Sequence, residues 1–169
     1  YKPITKIWLE NVLRKINLDK EKVVGVIFVS PTYHGYAEDL EPLIDLCHQK
    51  NLPVLVDEAH GSYFLFCENL NMPKSSLFCN ADLVVHSLHK SLNGLTQTAV
   101  LWYKGELVDE HKLIKSVNLL QTTSPNSLLL SSCEESLKDW MNKKNLSKYQ
   151  KRIIEAKSIY KKLIQKKIP

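Results

Sequence analysis

VVGVIFV (residues 23–29) is a near-continuous apolar run that stops at Pro31. Its length suits a strand, and a strand apolar on both sides belongs in a sheet covered on both faces. Working outward from it, residues 39–50 place Leu40, Leu43, Ile44 and Cys47 at the i, i+3, i+4, i+7 spacing of a helix. Residues 54–56 read as a second buried strand stopped by Asp57, residues 83–85 as a third and residues 98–103 as a fourth. Upstream, Ile4, Ile7, Trp8, Val12 and Leu13 mark an amphipathic helix over 4–16. Downstream, a helix covers 108–120 and another begins near Ser127.

Strands separated by helical crossovers predict an α/β fold, a mostly parallel sheet flanked by helices. Ligands of such sheets bind beyond the carboxyl ends of the strands. Three clusters lie there: Ser30-Pro31-Thr32-Tyr33, Asp57-Glu58-Ala59-His60 and His86-Ser87-Leu88-His89-Lys90. They are expected to converge at one edge.

A chain of 169 residues, 44% hydrophobic and 24% charged, suits one globular domain with a sizeable core. No apolar run reaches the ~18–20 residues that span a bilayer, and no charged-then-apolar leader opens the sequence. A start at Tyr1 instead of Met is expected of a piece cut from something longer. Cys47, Cys67, Cys79 and Cys133 form no CxxC pair and no zinc-like cluster with His. Reduced thiols, no metal and a cytoplasmic setting are expected.

Charge is unevenly placed. Residues 143–169 carry ten Lys or Arg and one acid, whereas residues 1–142 carry 13 basic and 17 acidic residues. The tail places Tyr149, Ile153, Ala156, Tyr160 and Leu163 on one helical stripe with a lysine-rich back. It is read as a connecting helix with a solvated face. No aromatic platform or motif accompanies the charge, so neither nucleic acid nor membrane is expected as a partner.

The chemistry rests on Lys90 and Asp57. A lysine at a buried strand end is unusual, and desolvation would free its amine as a nucleophile toward an aldehyde. A carboxylate from a neighbouring strand can pair with a pyridinium nitrogen and make the ring an electron sink. On residue type alone, an ordinary buried ion pair is the better explanation of the two.

The segments SPTYHGYAEDL (30–40), PVLVDEAHGSYF (53–64), ADLVVHSLHKSLNGLTQTAVL (81–101) and LLQTTSPNSLLLSS (119–132) closely resemble the major domain of the Orn/Lys/Arg decarboxylase family. The resemblance implies an aspartate-aminotransferase-like, fold-type-I domain that binds pyridoxal 5'-phosphate. It implies decarboxylation of lysine, ornithine or arginine with Lys90 holding the cofactor as a Schiff base. By position it gives Asp57 the pyridine nitrogen, Ala59 one ring face, Ser87 the phosphate, and His89 the phosphate or the substrate carboxylate. His60 matches the motif and joins the cofactor-binding set without a defined role. Thr122 and Thr123 would extend toward a neighbouring subunit's phosphate, which implies a dimer or larger homo-oligomer.

Plainer readings stay open: Ser87 and the segment from Thr122 to Ser124 as caps or turns, His60 as a structural histidine, Tyr33 and His34 as loop residues. His48, His86 and His111 read as ordinary surface or core residues. The family's upstream phosphate loop and ring-stacking residue have no match here, nor has its C-terminal domain, and Ser62-Tyr63 departs from the Ala-His common in the family. The expectation is a partial domain, with 1–142 bearing the cofactor and 143–169 leading onward, completed by an oligomer or a complementing polypeptide. Another fold-type-I activity, an aminotransferase or lyase, and a non-catalytic, partner-binding remnant are the alternatives.

Overall fold

The computed structural model describes residues 3–16, 21–67 and 70–166. Tyr1 and Lys2 at the start and 167–169 at the end of the basic tail lie outside the described residues. The elements run α1 (Lys6–Lys15), β1 (Val26–Val29), α2 (Glu41–His48), β2 (Val54–Asp57), a 3-10 turn (Ser62–Phe66), β3 (Leu83–Ser87), α3 (Leu88–Ser91), β4 (Ala99–Tyr103), α4 (Glu110–Leu120), α5 (Ser127–Met141) and α6 (Lys143–Gln165). The sheet order is β1-β2-β3-β4. The pairs β1/β2 and β2/β3 are parallel, and β4 returns antiparallel on β3. This is the mostly parallel α/β sheet that the apolar runs predict. The 3-10 turn has no counterpart in the periodicity.

Register decides which side chains share a face. Val26, Phe28, Val54, Val56, Val84, His86, Val100 and Trp102 stand on one face. Phe28, Val54, Val56 and Val84 pack there against Leu9 and Leu13 of α1 and Leu43, Ile44 and Cys47 of α2. The opposite face carries Ile27, Val29, Leu55, Asp57, Leu83, Val85, Ser87 and Leu101.

The expectation that 23–29 is buried on both faces is corrected here. Val24 is 87%, Ile27 70% and Val29 53% exposed. β1 is an edge strand, and the described helices that bury residues against the sheet do so on its other face. An apolar run reports that both faces are apolar, not that both are covered.

A second, smaller core gathers at the carboxyl edge. Leu88 and Leu92 meet Trp140 of α5, with Tyr63, Phe66, Val100, Cys133, Leu137, Leu146 and Tyr149 around them. Asn142 accepts from the N–H groups of Lys144 and Asn145 and so starts α6 immediately after α5. The indole of Trp140 stacks on Tyr149 at 4.3 Å. Asn93 donates to the Tyr149 hydroxyl at 2.9 Å, and that hydroxyl donates to Asp139. The Asp139 contact lifts the Tyr149 phenol above its ordinary range. The α5–α6 hairpin is thus locked to the end of α3, and the tail stripe of Tyr149, Ile153, Ala156 and Tyr160 turns partly toward the body.

Gly94 marks how tightly the α3 turn is packed. A Cβ there would lie 2.4 Å from the Thr98 hydroxyl and 3.2 Å from the Leu88 carbonyl carbon. Thr98 is buried and donates to the Leu95 carbonyl at 2.7 Å, so it cannot swing away freely. Gly94→Ala is expected to destabilise the chain by about 1–3 kcal/mol, read from the urea midpoint.

All four cysteines are free. Burial pushes the thiols of Cys47, Cys67 and Cys79 up to about 11. At pH 8 only about one in a thousand of each would be thiolate, the reactive form. A thiol titration of the native chain is expected to modify no more than Cys133, and all four after unfolding. Among the described residues no helix is long and apolar enough to cross a membrane.

Candidate active site at the carboxyl edge of the sheet

Parallel pairing puts the ends of β1, β2 and β3 side by side. Asp57, the last residue of β2, is in register with Val29 of β1 and Val85 of β3. The strand parity that carries Asp57 also carries Ser87, so both leave from the face opposite the α1–α2 core. β3 runs directly into α3, the short turn that carries Lys90. Its ammonium lies 3.3 Å from Nε2 of His60, three residues beyond Asp57. An ammonium can only donate, so Nε2 accepts and the ring proton of His60 sits on Nδ1. Tyr33, from the segment after β1, meets the His60 ring edge-on at 5.7 Å. The three clusters singled out by their position after strands therefore do meet.

Other members are positioned as follows. One Asp57 oxygen accepts the Ala59 N–H at 3.1 Å, and the other has no partner among the described residues. Ala59 is buried beside it. Ser87 occupies the cap position of α3 but its hydroxyl makes no capping bond, which removes the plain capping explanation for that serine. His89 donates from Nδ1 to the Thr98 carbonyl at 2.9 Å, which anchors its ring to the start of β4 and leaves Nε2 as the available nitrogen. Thr122 and Thr123 are exposed in the α4–α5 loop, where the Thr122 hydroxyl accepts the Ser124 N–H at 3.1 Å. No described contact brings them to Lys90 or Asp57.

Lys90 itself is exposed, not buried. The turn of α3 carries it past the rim of the sheet, so desolvation of its amine is not provided by the described residues.

The sequence reading missed what lies directly beneath the site. Glu58 alternates with Asp57 and points into the core, where it is fully buried. Its carboxylate accepts from the Ser75 hydroxyl at 2.7 Å and from the Ser76 N–H and hydroxyl at 2.9 and 2.6 Å. His86 lies 2.7 Å from Glu58, and Trp102 donates to His86 Nδ1 at 2.9 Å. Nδ1 is thereby the acceptor, and Nε2 carries the proton and donates to Glu58. One buried carboxylate thus ties the ends of β2, β3 and β4 to the 75–76 turn. The signal was the alternation of adjacent strand residues: Asp57/Glu58 and His86/Ser87 must face opposite sides.

Comparison with known proteins identifies the family. The family model described as the Orn/Lys/Arg decarboxylase major domain matches residues 3–168. An arginine decarboxylase of Halalkalibacterium halodurans is 39% identical over 114 residues, covering 68% of this chain and 23% of the relative. An arginine decarboxylase of Bacillus subtilis is 36% identical over 132 residues, covering 78% and 26%. The chain thus spans about a quarter of the length of these relatives. Among solved structures, a chain of the SepCysS–SepCysE N-terminal domain complex superposes with a TM-score of 0.60 at 19% identity, over 95% of this chain and 41% of that one. That likeness concerns the fold. With the motif clusters gathered at one sheet edge and the match running nearly end to end, the chain belongs to the Orn/Lys/Arg decarboxylase family, in its major domain.

Proposed function

We propose that this chain carries the cofactor-holding part of a pyridoxal-phosphate-dependent decarboxylase of a basic amino acid. The observation that supports it most is the juxtaposition of Lys90 and His60 on the edge that Asp57 leaves from the adjacent strand. The residues suit the group. An amine faces the rim, a carboxylate keeps one oxygen uncommitted, and Ala59 presents no bulk. Lys90 would hold the aldehyde carbon and Asp57 the pyridine nitrogen. Ala59 would lie under the ring, and Ser87 and His89 would serve the phosphate. His60 would fix the position of the Lys90 amine.

When bound, the cofactor supplies the sink for the electron pair left as CO₂ departs. The chain's part is orientation. Asp57 would hold a negative charge against the pyridine nitrogen, and the Lys90 amine would move a proton at the reacting carbon. Thr122 and Thr123 are assigned to a neighbouring subunit's phosphate. In this reading 1–142 is the cofactor-bearing part and 143–169 a connecting helix. A homo-oligomer or a complementing polypeptide completes the site; the uncovered sheet face supports that assembly. Among lysine, ornithine and arginine, the names of the relatives favour arginine.

The test is release of labelled CO₂ from carboxyl-labelled arginine, lysine and ornithine, with and without added cofactor. Cofactor-dependent release, greatest from arginine, is expected. Binding of cofactor with no release from any of the three would contradict the decarboxylase assignment.

A further inference from the structure

Residues assigned to the cofactor at the ends of β2 and β3 are chain neighbours of the buried carboxylate network. Glu58 stands between Asp57 and Ala59, and His86 directly precedes Ser87. Alternation sends Asp57 and Ser87 to the open face and Glu58 and His86 into the core. The two strand ends are therefore joined twice. In the backbone, the Glu58 N–H donates to the Val85 carbonyl at 3.1 Å. In the core, His86 donates to Glu58 at 2.7 Å, with both side chains fully buried.

Stability alone does not call for charge at this place. Replacing a buried ionic network by apolar side chains of similar volume is often neutral or stabilising. What apolar packing lacks is direction, since a hydrogen bond constrains both distance and angle. Here the directions are fully specified. The Trp102 indole can only donate, so Nδ1 of His86 accepts and Nε2–H points at Glu58. One Glu58 oxygen takes the Ser75 hydroxyl and His86, and the other takes the N–H and hydroxyl of Ser76. One tautomer and one ring orientation of His86 satisfy all of these bonds together.

We infer that Glu58, His86 and Trp102 are positioning residues for the cofactor edge. Their bonds set the separation between Asp57, assigned above to the pyridine nitrogen, and Ser87, assigned to the phosphate. What is positioned rests on that functional reading; that the edge is positioned rests on the network alone.

Two substitutions loosen the network without emptying it. Trp102→Phe removes the donor that selects the His86 tautomer. Glu58→Gln sets an amide N–H against two donors whichever way the amide turns. Ile44→Val, buried in the core beneath α2, is the control that weakens the fold elsewhere. The first readout is amide hydrogen exchange of the chain without cofactor. Relative to Val56 in the same strand, the amides of Glu58 and Leu88, bonded to the Val85 and Thr98 carbonyls, are expected to exchange at least about tenfold faster in both network variants. In Ile44→Val that ratio should stay as in wild type. The second readout is affinity for pyridoxal phosphate, followed by the induced circular dichroism of the bound cofactor. It is expected to fall about 10–100-fold in both network variants, the scale on which groups that orient a ligand-holding side chain act, and to hold in Ile44→Val. Edge amides that keep pace with Val56 in both network variants would overturn the inference. So would an affinity that neither network variant lowers, or one that Ile44→Val lowers as far. Selective loosening of the edge in a chain whose wild type binds no cofactor would uphold the positioning and remove the cofactor reading instead.

Discussion

Lys90→Ala is expected to lower CO₂ release from arginine by at least about 10⁴-fold, the scale on which loss of a covalent nucleophile acts. It should also abolish attachment of the cofactor to the chain. The same substitution should leave stability within about 0.5 kcal/mol, the usual range for surface positions. Lys90 is exposed and its described side-chain contact is the 3.3 Å approach to His60. That split separates a chemical role from a structural one. A lysine that merely held the α3 turn would cost stability and spare attachment. The measurement pairs the CO₂ assay with a thermal melt of the same preparation, and comparable activity in wild type and variant would exclude Lys90.

Glu58→Ala is expected to have the opposite profile. Removing this carboxylate strands four donors inside the protein: the Ser75 hydroxyl, the Ser76 N–H and hydroxyl, and Nε2–H of His86. Breaking a buried charged network by deleting one partner costs about 3–5 kcal/mol, a large share of the ~5–15 kcal/mol that holds a domain together. At about 2–4 °C per kcal/mol for a chain of this size, the melting temperature should fall by roughly 6–20 °C. Glu58→Gln keeps the shape and one acceptor oxygen and should lose less. Cofactor affinity should fall with Glu58→Ala even where the chain remains folded, because Glu58 and Asp57 share a backbone. A loss of less than about 1 kcal/mol would show that the network does not hold the strand ends.

The strands were legible because burial on a sheet writes itself as apolar runs. β2 and β3 begin where the sequence places them and extend to Asp57 and Ser87. The meeting of the segments that follow β1, β2 and β3, seen in the Tyr33–His60 and Lys90–His60 contacts, was legible from topology, since ends of adjacent parallel strands meet. What covers the sheet was not. VVGVIFV reads the same whether its second face is packed or open, and here Ile27 and Val29 face outward. The exposure of Lys90 was equally hidden, because it depends on one turn of helix that carries no periodic signal. Glu58 and His86 were within reach of an alternation argument. Their partners Ser75 and Ser76 were not, since they come from a turn with no strand or helix pattern. Leu88 and Trp140 lie far apart in sequence, and only the docking of the α5–α6 hairpin on α3 makes them neighbours.

The central claim is that one amine at the sheet rim is singled out among many. It is tested most directly by incubating the chain with pyridoxal phosphate, trapping with borohydride, and mapping the modified peptides by mass. The basic α6 offers a row of competing surface lysines, so selectivity itself is the readout. A single dominant phosphopyridoxyl group on Lys90 is the expected result. A label spread over the lysines of α6, with none enriched at Lys90, would contradict it.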